Sequence, residues 1–507
     1  MGLYDFSLYD LIARNARLYA DRPAWREVDG DDPFTFVQIK LAVDQLAGAL
    51  QTAGCQKGDR IGVLGKNCLE FFSVYGAAAA LGAIVLPVNW RLSADEAAYA
   101  LNDGKPRWVF ADDSNPEWTK AVRSKLGDEV RFFNLQSGQG AFDDLEPHGD
   151  TAGFTPAEVS CDDGFVIIHT AAITGNPRGA LLSQGNLLCC HMHLMHGIGM
   201  TSEDVHVNAL PLFHVAGLFM VFSAFHAGCL NINLPKFDPA LIVRLVAGYR
   251  AVFMFTFAPM LNAILDFQKE KGSDISALRA VIGLDAPEVI ERYQTVSGGT
   301  FYCMYGQSET SMLATLSAYN QAPGSAGRPI SLADVQLLDD NDRPVAVGEV
   351  GEIAMRGPMV FKGYWGLKED NLHTFRNGWH HTGDLGRMDG AGYLWYAGRK
   401  ADKELIKPGG ENVYPAEVEK VVLEHPQVEK VVVFGVPDPK WKEGIKAVCL
   451  LSRGAKLDPQ DLIDFIGQRI ARYKRPRYIE YVETLPLLPD GAIDRDKVKE
   501  MFGGDQI

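Results

Sequence analysis

Three short stretches of the chain bring hydroxyls, carboxylates and glycines together just after apolar runs, a spacing suited to handling a phosphorylated ligand. The first, HTAAITGNPRGALLSQGNL (169–187), follows an apolar run that ends at Thr170. It passes through Thr174, Gly175 and Gly179 and reaches a helix start near Ser183. Backbone N–H groups in such a glycine-containing loop can converge on a phosphate. It is not a Walker loop, because Ala180 and Leu181 follow Gly179 where that motif requires Lys and Ser or Thr. The second, FYCMYGQSETS (301–311), makes a turn at Tyr305-Gly306 and then offers the Ser308 hydroxyl and the Glu309 carboxylate. That pair suits a phosphate with its Mg²⁺, which takes few protein carboxylates and keeps phosphate and water ligands. The third, WHHTGDLGRMDGAGYLWYAGRK (379–400), sets Asp384 in a tight turn and Arg399 at a strand end, both suited to ribose hydroxyls. Taken singly, the first reads better as an ordinary strand-to-helix connection, the second is a weak signal, and the third reads equally well as a hairpin with a solvated Asp and Arg.

The elements that must position these stretches follow from hydrophobic patterning. Apolar, β-branched runs at 61–64, 83–88, 108–111, 165–169, 205–210, 252–256 and 280–283 alternate with helical patterns. Such alternation predicts parallel sheets with helices on their faces. After Gly324 the texture becomes short alternating strands with Gly, Pro and Asp turns, a small antiparallel sheet or barrel. The last hundred residues read as a small α+β unit, with strands in KVVVFGVPD and KAVCLLS and helices at 415–424 and 459–470. The seam falls in the charge-rich GRKADKELIKPGGENVYP.

Length and composition agree with this organisation. At 507 residues, with 47% hydrophobic and 22% charged residues, the chain has room for roughly two to four domains and needs no disulfide or metal staple. A net charge of −15 argues against nucleic acid or an anionic bilayer as the default partner. Residues 403–507 carry 17 basic and 18 acidic side chains, so −14 of the charge lies on the remainder. Eight cysteines without a Cys-x-x-Cys pair fit a reducing compartment and idle thiols. The N-terminus lacks a secretory pattern. The uncharged run 71–90 holds Gly76, Gly82 and Pro87, which predicts a buried helix, a turn at Gly82 and a buried strand rather than a membrane span. A cytoplasmic protein, monomeric or homodimeric, is expected.

The order of the three stretches, together with further blocks, carries a resemblance. PVNWRL (87–92), PLFHVAG (211–217), YGQSE, GRP (327–329), GEIAMRGP, GYW, TGD, GR and GGENVYPAEVE follow one another along essentially the whole chain. The sequence resembles the acyl-CoA synthetase and aryl-CoA ligase branch of the adenylate-forming superfamily. The resemblance implies an α/β multidomain fold. A large N-terminal domain (1–402) would hold two parallel αβα subdomains and a small β-barrel, and a small mobile α+β domain (403–507) would follow. It also implies an ATP-dependent, AMP-forming carboxylic acid:CoA ligase, in which the acid and Mg·ATP give an acyl-adenylate and CoA thiol then attacks it.

Carried over by motif, the 170–179 loop with Thr170, Thr174, Gly175 and Arg178 would hold the β- and γ-phosphates. Thr174 and Glu309 would hold Mg²⁺, and Ser308 would meet the α-phosphate. Asp285, Ala286 and Pro287, with Tyr305, Gly306, Gln307 and Tyr396, would flank the nucleotide, and Asp384 and Arg399 would hold its ribose. His214, Val215, Gly283, Met304, Gln307 and Met312 would line the acyl pocket. Lys403, with Asp402 as second candidate, would be the hinge. Lys407 and Asn412 would enter the active site, and Gly409, Gly410 and Glu411 would flank CoA. The basic run 469–477 reads either as a CoA phosphate contact or as a solvated helix end. His191, His193 and His196 have no nearby carboxylate and read as surface or packing residues. No metal beyond Mg²⁺ is expected.

Two departures from the family pattern stand out. In the phosphate loop, hydroxyls and a glycine are replaced by Ala171, Ala172 and Ile173, and the usual lysine by Arg178. Near the C-terminus, LPLLPDGAIDRDKV places Ala492 where the family has a catalytic lysine, while Gly491, Ile493 and Arg495 are retained. Loss of one such donor typically costs on the order of a hundred- to a thousandfold in rate. Impaired adenylation with surviving thioester formation is therefore expected, and the intact surroundings favour a deliberate Lys-to-Ala replacement over decay. The alternative is a non-catalytic acyl- or nucleotide-binding protein of the same fold. The mostly apolar, sulfur-containing pocket residues point to a medium-chain aliphatic or an aromatic monocarboxylate.

Overall fold

The structure is a computed structural model, and it describes residues 5–30, 32–112, 114–135, 154–170, 176–400, 405–408, 411–439, 441–488 and 493–504. The backbone falls into two compact units. One comprises Met1–Trp90, Ala100–His169 and Gly179–Gly398, the other Arg91–Tyr99, Thr170–Arg178 and Arg399–Ile507.

The run 71–90 shows how composition becomes architecture in the first unit. Its helix, Leu69–Leu81, is apolar on every face apart from Glu70 and Ser73 and ends on Gly82, whose φ of 67° is the left-handed conformation that glycine adopts at low cost. The strand that follows, Ile84–Val88, is buried along its whole length. It runs parallel to Arg60–Leu64 on one side and to Gly164–Thr170 on the other. A strand covered on both faces needs such a continuous apolar run. Among the described residues no helix is long and apolar enough to cross a membrane.

Two mostly parallel sheets dominate this unit. In the seven-stranded sheet the order is Gly363–Tyr364, Arg178–Ser183, Gly164–Thr170, Ile84–Val88, Arg60–Leu64, Trp108–Ala111 and Arg131–Asn134. The nine-stranded sheet contains Thr300–Tyr305, Ala280–Leu284, Phe253–Phe257, Val205–Asn208, Leu230–Asn233 and Pro23–Glu27 as successive parallel neighbours. The large core contains an aromatic cluster in which Phe72 packs on Trp25, Phe222 and Phe225 at centroid separations of 5.4, 4.9 and 5.1 Å. The small sheet runs in the order Asp334–Leu338, Val350–Arg356, His380–Met388, Leu394–Arg399. Asp334–Leu338 and Val350–Arg356, and Val350–Arg356 and His380–Met388, pair antiparallel, in the small antiparallel element expected after Gly324.

The second unit is built on three strands. Val428–Asp438 pairs antiparallel with Lys442–Leu451, which pairs parallel with Tyr478–Val482. The helices Pro415–Leu423 and Pro459–Gly467 contribute Val418, Val422, Leu462 and Ile466 to the core beside that sheet. Both helices begin with proline, whose fixed φ suits the first helical position.

Candidate active site

Ligands of parallel α/β sheets gather at the carboxyl ends of the strands, and the chemistry-bearing residues of the first unit follow that rule. Thr300–Tyr305 leads directly into Gly306, Gln307 and a short 3₁₀ turn, Ser308–Thr310. The turn is tied from within: Gln307 N–H donates to Thr310 Oγ1 at 2.8 Å. Gly306 is required sterically, because a Cβ there would stand 1.8 Å from the Met312 carbonyl oxygen. The tight turn carries Glu309, which is buried, toward Tyr364. The Tyr364 hydroxyl donates to Glu309 Oε1 at 2.9 Å, and the Glu309 carbonyl accepts the Phe361 N–H at 2.9 Å.

Asp384 lies against the same turn from the small sheet. Its Oδ2 accepts hydrogen bonds from the Tyr305 hydroxyl at 2.7 Å and from Gln307 Nε2 at 2.6 Å. The tight turn expected for Asp384 is instead part of the strand His380–Met388. Along it, His381 pairs with Ala354 and Leu385 with Glu352. Three residues, 382–384, thus face a single one, Ile353. This bulge contains Gly383 at φ 71°, and such irregularities re-aim a side chain that a regular strand would direct elsewhere. Tyr396 faces the ring of Tyr305 at 6.5 Å and is half exposed.

Gly283 closes the neighbouring strand Ala280–Leu284 with φ 147°, and a Cβ there would lie 1.9 Å from the Thr256 carbonyl oxygen. Beyond it, Asp285 Oδ1 accepts the Ala286 N–H at 2.8 Å, and Pro287 opens the helix Pro287–Ser297. His214 has a local role that the sequence did not signal. Its Nδ1 accepts the Ala216 N–H at 3.1 Å, capping the helix Val215–Ala227, and its ring stands edge-on to Phe257 at 6.3 Å. Val215, Met304 and Met312 are buried in the core.

Strand Gly164–Thr170 leads into the phosphate-loop segment. The last residue before that segment, His169, pairs through Nε2 with Asp103 Oδ2 at 2.9 Å, a contact that sequence reasoning missed. In the second unit the Thr170 hydroxyl faces the Arg178 carbonyl at 3.4 Å. Thr174, Gly175, Asp402, Lys403, Gly409, Gly410 and Ala492 lie outside the described residues.

Further on in the second unit, Ile406 and Val413 bridge antiparallel, so Lys407, Glu411 and Asn412 belong to one hairpin-like excursion. Within it the Lys407 N–H donates to Glu443 Oε2 at 2.6 Å, and Glu411 pairs with Arg91 at 2.6 Å. Arg399 ends the strand Leu394–Arg399, as its spacing predicted. Arg495 pairs with Glu419 at 2.6 Å and donates to the Val433 carbonyl at 3.0 Å.

Within the basic run 469–477, Arg472 and Arg477 are exposed, but Lys474 is not a solvated cation. Lys474 is only 4% exposed and lies 2.7 Å from both Glu96 and Glu417. Burial alone would lower its pKa, but the carboxylates of Glu417 and Glu96 outweigh burial and push it up. Arg469 lies 3.6 Å above the Phe465 ring. His191 is a core residue stacked on Phe222 at 6.0 Å, and burial holds its pKa far below the ordinary histidine value.

The chain matches known proteins over nearly its whole length. Residues 12–365 match the model of the AMP-binding enzyme family, and residues 417–491 match that of the AMP-binding enzyme C-terminal domain. The chain is 32% identical to a feruloyl-CoA synthase from Amycolatopsis sp. over 498 residues, covering 97% of this chain and 98% of that protein. A putative long-chain-fatty-acid CoA ligase from Rhodopseudomonas palustris CGA009 has a structure similar to this one. It is 45% identical, with a TM-score of 0.74, over 78% of this chain and 100% of that one. A double mutant of o-succinylbenzoate CoA synthetase from Bacillus subtilis, bound with its product analogue, is 26% identical. Its TM-score is 0.85, with 98% and 99% of the two chains covered. The chain belongs to the AMP-binding enzyme family, in its acyl-CoA synthetase branch, and is an enzyme of the acid–thiol ligase class.

Proposed function

We propose that this protein is an ATP-dependent, AMP-forming carboxylic acid:CoA ligase acting on an aromatic or medium-chain aliphatic monocarboxylate, with its adenylation step slowed by Ala492. The observation that carries the reading is the convergence of Tyr305, Gln307 and Asp384 beside a turn that presents Glu309. On this reading Asp384, with Arg399, takes the ribose hydroxyls. Tyr305, Asp285, Ala286, Pro287 and Tyr396 flank the base. Ser308, Thr170, Thr174, Gly175 and Arg178 meet the phosphates. Lys407, Gly409, Gly410 and Glu411 serve the thioester step, and the domain boundary falls near Lys403. His214, Val215, Gly283, Met304, Gln307 and Met312 serve the acyl group.

Among the described residues no group of three or more histidines, cysteines or carboxylates could hold a metal ion by themselves. A single buried carboxylate such as Glu309 instead fits Mg²⁺, which binds through one or two carboxylates and completes its shell with phosphate and water. When bound, the ion would neutralise charge on the triphosphate. The protein's own contribution is positioning, which is most of what nucleotidyl transfer requires.

The substrate reading rests on apolar residues at the strand ends. Phe255 and Phe257 pack at 4.9 Å, His214 stands against Phe257, and Leu284 is half exposed beside Asp285. Phe255, Phe257 and Leu284 offer no charge to a second carboxylate.

The test has two arms. Thermal-shift screening of monocarboxylic acids with Mg·ATP should find stabilising aromatic or aliphatic acids, and stabilisation by dicarboxylates or amino acids alone would overturn the pocket reading. Supplying the matching acyl-adenylate with CoA should release AMP and form thioester. No thioester in that arm would leave the non-catalytic binding protein as the correct reading.

A further inference from the structure

Glu352, on the strand Val350–Arg356, is 4% exposed and was not among the residues singled out in the sequence. Its carboxylate spans the bulge that carries Asp384. Oε1 accepts the Gly383 N–H at 3.0 Å, and Oε2 faces His381 Nδ1 at 3.3 Å and Arg376 Nη2 at 3.3 Å. Arg376 is itself fixed by Asp342, with contacts of 3.0 Å from both Nε and Nη2. On the other side of the bulge, the Thr382 hydroxyl donates to the Ile353 carbonyl at 2.6 Å and accepts the Asp384 N–H at 3.1 Å.

A bulge leaves backbone groups without ladder partners, and a buried N–H without one is costly. Here a buried side-chain carboxylate supplies the missing acceptor to Gly383, one residue before Asp384. Asp384 in turn receives the Tyr305 and Gln307 bonds only if the bulge keeps its shape. A charged acceptor makes stronger bonds than a neutral one, and Arg376 holds that acceptor in place.

We propose that Glu352 is a positioning residue for nucleotide binding, which acts through Asp384 by fixing the 381–384 bulge. The inference rests on the reading of Asp384 as a ribose ligand. The experiment compares dissociation constants for ATP and for 2′,3′-dideoxy-ATP, measured calorimetrically on the full chain without turnover, in the parent, Glu352→Ala, Glu352→Gln, Asp384→Asn and the double variants.

Asp384→Asn and Glu352→Ala should each lower the preference for ATP over its dideoxy analogue by roughly tenfold, the scale of a lost charged hydrogen bond. Combining them should lower it no further, because both changes remove one interaction. Glu352→Gln, whose amide oxygen can still accept from Gly383, should recover most of the preference. Full discrimination by Glu352→Ala, alongside its loss in Asp384→Asn, would overturn the inference. Full discrimination by Asp384→Asn would instead overturn the ribose reading, and the inference with it. If Glu352→Ala does not fold, Glu352→Gln decides the matter: a loss as large as that of Asp384→Asn and additive to it would overturn the proposal.

Discussion

The Tyr364 hydroxyl donates to Glu309 Oε1 over 2.9 Å, joining the Gly363–Tyr364 edge strand to the turn after Thr300–Tyr305. Two sheets thereby share one carboxylate. If Glu309 holds Mg²⁺ as proposed, its carboxylate would be aimed by a residue more than fifty positions away in sequence.

Removing that hydroxyl should therefore show in the metal requirement. In Tyr364→Phe, the Mg²⁺ concentration for half-maximal acid-dependent pyrophosphate release should rise about tenfold, as expected for a hydrogen bond to a charged group. An unchanged requirement would assign Tyr364 to packing alone, against Phe361 at 4.9 Å.

Ala492 yields a prediction in the opposite direction. Ala492→Lys should raise the rate of acid-dependent pyrophosphate release by on the order of a hundred- to a thousandfold, the effect of restoring one donor aimed at the transition state. Thioester formation from supplied acyl-adenylate should change little. A variant no faster than the parent in pyrophosphate release would show that Ala492 does not limit adenylation.

The Glu96–Lys474–Glu417 cluster predicts a stability effect. In Lys474→Met, the Glu417 carboxylate remains buried without its cation, and removing one partner of a buried ionic group costs about 3–5 kcal/mol. Urea unfolding of the second-unit core should report a loss of that size. Adding Glu417→Gln should recover part of it by removing the stranded charge, and no recovery would point to lost packing as the cause.

Acid should destabilise the first unit through histidine. Burial pushes the His206 pKa down to about 4, against the opposing bond from Asn231, and burial likewise holds His226 at about 4. An ordinary histidine titrates near 6.5. Between those values the unfolded chain therefore binds protons that the folded chain refuses, and stability falls as pH drops from 6.5 toward 4, by up to roughly 3 kcal/mol per histidine. Denaturant midpoints at pH 7, 5.5 and 4 should decline in that order. The decline should be smaller in His206→Gln, and equal declines would place the titrating groups elsewhere.

What could be read from the chain beforehand was local, and what could not was made by distant partners. The helix, turn and strand over 71–90 were legible because composition alone decides them: twenty residues without a charge, with glycine where the helix ends. The helix start at Ser183 was legible for the same reason, and its hydroxyl does accept the Asn186 N–H. Asp384 was identified as a residue but not in its conformation, because the bulge arises from pairing with 352–354 and only a three-dimensional register shows it. Lys474 looked like one of several solvated cations, since Glu96 lies 378 residues earlier. Glu352 sat unnoticed in GEIAMRGP for a similar reason: its partners Arg376, His381 and Gly383 come from the next strand and the turn before it.

If Asp384 is the ribose ligand proposed above, it is aimed before any sugar arrives. With Oδ2 already bonded to Tyr305 and Gln307, and with its main-chain N–H held by Thr382, the carboxylate has given up its rotational freedom at the stage of folding. A ribose hydroxyl that docks there meets an acceptor which no longer has to be ordered, so little of the binding energy is spent on arranging it. The same bonds set a threshold, because a hydroxyl must match an existing geometry rather than mould a new one. Sugars that place their hydroxyls differently would gain nothing from this carboxylate.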